Sequence, residues 1–68
     1  MLSIDQRIGM RIRGKRLALG LAQSDLAQAT GLSSETIEAY ERGVVRVPSE
    51  HLIKLADVMG VTLSYFMR

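Results

Sequence analysis

Few residues of this chain can do covalent chemistry, and their types exclude most of it. There is no cysteine, so a thiolate nucleophile, a disulfide framework and a thiolate metal site are all ruled out. The one histidine, His51, cannot build a metal site alone. The sequence has no glycine-rich phosphate loop and no cluster of inward-facing carboxylates. That leaves no catalytic constellation, so the reading is not an enzyme and calls for no metal or cofactor. What remains is charge. Arg7, Arg11, Arg13, Lys15 and Arg16 fall within ten residues, and Asp5 is the only acid before Asp25. A basic helix of this kind can approach phosphates. The same charges also suit a solvated helix face, and charge alone does not separate the two, since the net charge is only +2.

The elements that must carry these charges are helices. With 68 residues the chain fits one domain, 1–68. A chain this short buries only about 60% of its unfolded surface, so its stability is marginal and rests on apolar packing. Hydrophobic residues make up 47% of it, while aromatics are scarce and β-branched alternation is rare. That composition favours an all-α, compact five-helix bundle over a sheet. No apolar run reaches the roughly 18 residues of a membrane span. No signal-peptide core precedes Arg11 and Arg13, and the lack of cysteine fits a cytoplasmic protein.

The spacing predicts helix one over Asp5 to Leu19, with Ile8, Ile12, Arg16 and Leu19 on one face. Arg16 on that apolar stripe requires an acidic partner, because a partly buried unpaired charge is costly. Gly14, inside this helix, forgoes roughly 1 kcal/mol against alanine; close approach of another backbone is one reason for it. Gly20 ends the helix. Helix two covers Gln23 to Thr30, with Leu26, Ala27 and Thr30 inward and Ala22 a poor N-cap. Gly31 permits a positive-φ turn, and Leu32 tucks into the core. Ser33 is the expected N-cap of helix three, Ser34 to Arg42, whose inward pair is Ile37 and Tyr40. Gly43 stops it. The loop Val44 to Pro48 either covers the core edge or forms a contact patch. Ser49 is expected to cap helix four, which carries Leu52, Leu55, Ala56 and Met59 on one face. Gly60 ends that helix, and Thr62 caps a last short one with Leu63, Phe66 and Met67.

The residue pattern from Ile8 to Phe66 resembles the helix-turn-helix domain of the phage lambda repressor and Cro type, the Xre family. The resembling stretches are I-G-x-R-I-R-x-x-R from Ile8 to Arg16, Q-S-D-L-A-Q-A-T-G-L-S from Gln23 to Ser33, I-E-A-Y-E-R-G from Ile37 to Gly43 and L-A-D-V-M-G-V from Leu55 to Val61. Each is weak alone; their combination is specific and covers nearly the whole chain. The resemblance implies a lambda repressor-like DNA-binding domain with the helix-turn-helix at helices two and three. It supplies Glu41 as the partner of Arg16, a structural ion pair that sets the pose of helix three.

The same resemblance implies the partner, double-stranded DNA, and the contacts. Gln23 matches a position that holds a backbone phosphate; the plain alternative is a surface glutamine. Ser33, Ser34 and Glu35 match the start of the recognition helix. Ser33 is equally a cap or a phosphate ligand, and Ser34 reaches either donors or acceptors on bases. Glu35 either accepts from cytosine N4 or is merely an acid at a helix N-terminus. Thr36 and Ala39 lie on the outer face, where a methyl can meet thymine. Arg46 matches a loop position that meets the phosphate backbone, and Arg11, Arg13 and Lys15 can add to it. Where the family often has glutamine or a basic residue, this chain has Ser34, Glu35 and Ala39, and helix three carries Glu35, Glu38 and Glu41 against Arg42. Non-specific affinity is therefore expected to be modest, with specificity leaning on dimer geometry and DNA shape.

The function expected is a sequence-specific, repressor-like transcriptional regulator that binds a palindromic operator through the major groove as a homodimer. Its two recognition helices would then sit about 34 Å apart. The alternative is a protein-interaction module or antitoxin with weak or no DNA binding, using the acidic helix three and an apolar patch of Val44, Val45, Val47, Tyr65, Phe66 and Met67. The chain stops at Arg68, directly after the last helix. A further C-terminal domain or a protein partner is compatible with that.

Overall fold

The computed structural model describes all residues, 1–68. Five helices follow one another: α1 Ile4–Ala18, α2 Gln23–Thr30, α3 Ser34–Arg42, α4 Ser49–Met59 and α5 Leu63–Met67. Phe66, Ile12, Leu26, Ile37 and Leu55 are the largest side chains that are fully buried. Each helix supplies one of them, so removing any helix would open the same core. No helix is long and apolar enough to cross a membrane.

α1 begins one residue earlier than its apolar spacing suggests, because Ser3 and Gln6 cap it reciprocally. Ser3 Oγ accepts from the Gln6 N–H at 3.1 Å, and Gln6 Oε1 accepts from the Ser3 N–H at 2.9 Å. This capping box satisfies two groups at the helix start. The helix also ends earlier than Leu19. Leu19 is its C-cap, and Gly20 follows with φ +72° while the Leu21 N–H returns to the Arg16 carbonyl at 3.1 Å. That reversal swings Leu19 off the core stripe, and it is exposed. Only Ile8, Gly9, Ile12 and Arg16 of α1 are buried.

The close backbone approach expected at Gly14 occurs at Gly9 instead. A Cβ on Gly9 would lie 2.3 Å from the Tyr40 carbonyl oxygen and 2.7 Å from that of Glu41. α1 thus crosses α3 backbone to backbone. Gly43, at the end of α3, seats the start of α1 in the same way: a Cβ there would lie 2.5 Å from Gln6 Cα, and its φ is +70°. Gly14 meets nothing within 4 Å. Gly14→Ala is therefore expected to stabilise the domain by about 0.5–1 kcal/mol through helix propensity alone. A higher denaturation midpoint with an unchanged m-value would show this, and a lower one would refute it.

Several expected caps are made differently. Ala22 has no side-chain cap to offer, but the Asp25 carboxylate takes the Ala22 N–H at 2.8 Å. Ser49 is the first residue of α4 and does not cap it. The N-cap is Pro48, extended at φ −61° and ψ 149°, whose carbonyl accepts from the His51 and Leu52 N–H groups. Thr62 is the N-cap of α5, but its hydroxyl pairs with that of Ser64 at 2.9 Å and leaves the backbone uncapped. α5 has little more than one turn, so it can bury only one side. Phe66 is buried, while the expected core residues Leu63 and Met67 are exposed. In the loop after α3, Val47 enters the core, whereas Val44 and Val45 face solvent. Tyr40 ties α3 to α4 through its hydroxyl, 2.6 Å from His51 Nδ1. Burial pushes the Tyr40 phenol above its ordinary value, so it remains neutral and able to donate to that nitrogen.

Candidate nucleic-acid interface

The turn between α2 and α3 is built locally. Gly31 takes φ +77°, which an L side chain rarely adopts, and the Leu32 N–H closes onto the Ala27 carbonyl at 3.1 Å. The Thr30 hydroxyl donates to the Leu26 carbonyl at 2.8 Å, so this buried polar group is satisfied within its own helix. Leu32 then packs against the core, and Ser33 starts α3. Ser33 Oγ accepts from the Thr36 N–H at 3.1 Å, and its O–H donates to Thr36 Oγ1 at 2.8 Å. Ser33 is thus a cap in the free protein, and its hydroxyl and that of Thr36 hold each other at the start of α3.

The recognition face follows from helical geometry. Ile37, Tyr40 and Glu41 are buried. The opposite side of a 3.6-residue helix carries Glu35, Ala39 and Arg42. Glu35 and Arg42 are exposed and Ala39 is half-buried. Ser34 and Thr36 flank this face and are half-buried. Ser34 shares a side with Ile37, so it lies lower on the reading surface than Glu35. Arg42 was not among the expected contacts. Its spacing from Ala39 and Glu35, i+3 and i+7, puts a cation on the same outward strip. That spacing was available in the sequence.

The pose of α3 rests on one buried polar cluster. Arg16 and Glu41 are each about 7% exposed. Arg16 Nε donates to Glu41 Oε2 at 2.6 Å and Nη2 to Oε1 at 2.9 Å, a bidentate fork. Arg16 Nη1 donates to the Leu21 carbonyl at 2.8 Å. The hydrogen bond that Arg16 donates to Glu41 raises the Arg16 pKa above its usual value despite desolvation, so the guanidinium stays charged. Gln23 completes the cluster: its Nε2 donates to Glu41 Oε1 at 3.1 Å. The carboxylate only accepts, so the amide must turn its nitrogen inward. Gln23 is half-buried and oriented rather than a free surface side chain. Glu41 therefore joins α1, α3 and the first residue of α2, and no buried side-chain polar atom lacks a partner.

The basic residues do not act as one patch. Arg46 extends from the loop with its side chain 81% exposed, and its Nε reaches Asp5 Oδ1 at 3.2 Å. An exposed pair of this kind is weak and easily exchanged. Arg13 is exposed and Lys15 half-buried. The Arg11 guanidinium lies over the Tyr65 ring, 5.5 Å from its centroid. That places Arg11 on the α5 side of α1, away from the α1–α3 contact, so it does not join Arg46.

Comparison with known proteins agrees with this geometry. The family model described as Helix-turn-helix matches residues 12–66. A curated relative from Rhodospirillum rubrum, described as an uncharacterized transcriptional regulator in ATPase CF(0) region, is 38% identical over 63 residues; the match covers 93% of this chain and 58% of that protein. The chain spans about half the length of the curated relatives it matches. Among solved structures, the restriction-modification controller protein C.AhdI from Aeromonas hydrophila superposes with a TM-score of 0.86 at 31% identity, covering 90% of this chain and 92% of that one. The P22 c2 repressor, in complex with a synthetic operator, superposes with a TM-score of 0.84 at 28% identity, covering 90% and 92%. With five helices, a turn at Gly31 and a matched model over most of its length, this chain belongs to the helix-turn-helix family of the lambda repressor and Cro type.

Proposed function

We propose that this chain is a sequence-specific DNA-binding transcriptional regulator that lays α3 into the major groove of a palindromic operator as a homodimer. The observation that carries this is the Glu41 cluster. It holds α3 against α1 and α2 while Glu35 and Arg42 stay exposed and Ala39 stays half-buried on the outward side. A helix held in this way, with charged side chains flanking a small Ala39 on its outer face, suits a groove about 12 Å wide. Gln23 supplies a phosphate contact through its remaining amide hydrogen, Arg46 through its exchangeable guanidinium, and Ser33 through a hydroxyl freed from Thr36. Curated relatives named as transcriptional regulators and a repressor solved in complex with a synthetic operator support this reading. A cytoplasmic location follows from it.

Selection of bound sequences from a random duplex pool tests the proposal. The expected product is a two-fold symmetric site with half-sites about 10 base pairs apart. Ser34→Ala and Glu35→Gln should shift the selected bases, whereas no enrichment by the parent protein would refute the reading. Arg46→Ala should weaken binding to all sequences alike and reduce the salt dependence by about one released ion. A changed base preference in that variant would mean that Arg46 reads sequence.

A second reading, a protein-interaction module or antitoxin, draws on the exposed Glu35 and Glu38 of α3, which repel phosphates. Its apolar patch is smaller than the sequence suggests. Val47 and Phe66 are core residues, which leaves Val44 and Val45 on one loop and the half-buried Tyr65 with Met67 on α5. A tight protein complex with no operator binding would favour it.

A further inference from the structure

α1 has a second working face. Arg7, Met10, Arg11 and Gly14 recur at helical spacing on the side opposite Ile8, Gly9, Ile12 and Arg16. With Leu2, Tyr65 and Arg68 they line a groove of about 390 Å³. A smaller recess of about 120 Å³, between Ile4, Ile8, Phe66 and Met67, adjoins it at Arg7. The lining of both contains arginines and apolar side chains but no acid. The protein's salt bridges engage Arg16 and Arg46 only. Arg7 and Arg11 therefore have no carboxylate, and the guanidinium groups of Arg11 and Arg68 rest on the Tyr65 ring, 5.5 and 5.7 Å from its centroid. Met10, Leu2 and Ile4 stand exposed beside them. Gly14 leaves the far end open, with no atom within 4 Å of where its Cβ would lie.

We propose that this groove docks an acidic amphipathic helix of a partner protein. The apolar floor of Met10, Leu2 and Tyr65 takes the partner's apolar stripe, and Arg7 and Arg11, one turn apart, pair with acids spaced i, i+4 on its flank. Charge complementarity selects this occupant. A second copy meeting the groove about a two-fold axis would set Arg7 and Arg11 against their own copies. The face lies across α1 from α3, so a partner and DNA can bind together. This goes beyond DNA recognition and does not depend on it.

The test is fluorescence anisotropy with a fluorescein-labelled, end-capped peptide carrying a leucine stripe flanked by glutamates at i, i+4. The parent protein should bind it, more weakly as salt rises. Arg7→Glu combined with Arg11→Glu should weaken binding by about tenfold or more. The same double variant should gain affinity for the peptide with lysine in place of glutamate, which shows that the variant is folded. The bases selected from the duplex pool should be unchanged, with affinity lowered only as the change in net charge from +2 to −2 requires. No binding of the glutamate peptide, or equal binding by the double variant, overturns the proposal. So does a change in the bases that the variant selects, which would assign the groove to DNA. Self-association of the parent that the variant abolishes overturns it as well, because the occupant would then be a second copy.

Discussion

Glu41→Ala is expected to destabilise the domain by about 3 kcal/mol, the scale seen when one member of a buried ion pair is removed. The loss has three parts. Arg16 would keep a charge at a site only 7% exposed, with the Leu21 carbonyl as its one remaining partner. The Gln23 amide would lose its acceptor. The α1–α3 crossing would lose its bidentate link. In a domain of this size, 3 kcal/mol lowers the melting temperature by more than about 10 °C, and an unchanged melting temperature would reject the assignment. Replacing both ends with apolar residues, Arg16→Met with Glu41→Leu, should recover much of the stability, because the penalty comes from the stranded charge. DNA affinity should not recover with it, since Gln23 would remain unoriented. Recovery of both would mean that Glu41 plays no part in placing Gln23.

Gly9→Ala is expected to cost at least about 2 kcal/mol, although alanine is the better helix former. The added methyl would meet two backbone carbonyl oxygens at 2.3 and 2.7 Å. Backbone atoms of α3 cannot swing aside as a flexible side chain would, so the whole helix must shift. The partner experiment is Gly14→Ala in the same helix, for which a gain is expected. Opposite signs from the same substitution five residues apart, read by denaturant midpoint, would separate close packing from helix propensity. A gain from both would show that α1 and α3 cross less closely than these distances require.

Much of the architecture is legible in the residues. The bounds of α2 and α3 coincide with those read from the pattern, Gln23–Thr30 and Ser34–Arg42. Their signals are local: a glycine that accepts φ +77°, a serine that caps, and a glycine with φ +70° that stops the helix. Such signals act within a few bonds and need no tertiary neighbour. Apart from the start of α1 and the caps at Ser49 and Thr62, the readings that failed were those in which burial depended on another element. Leu19 fits the periodicity of α1, yet the chain reverses before it can face the core. Met67 fits an apolar helix, yet α5 is too short to bury two sides. Gly14 and Gly9 look alike in sequence, and only the approach of α3 distinguishes them.

The site divides in the same way. The residue pattern alone requires an acid for Arg16, because its place on an apolar stripe does not depend on the details of the fold. It also requires that the turn between α2 and α3 present the start of α3, since Gly31 and Ser33 impose this locally. Packing between elements settles that Gln23 is tied to Glu41 and that Arg11 turns to Tyr65 rather than joining Arg46. Those outcomes depend on distances between residues up to 54 positions apart. Helix periodicity states which face a side chain is on; the packing of the other helices determines what that face meets.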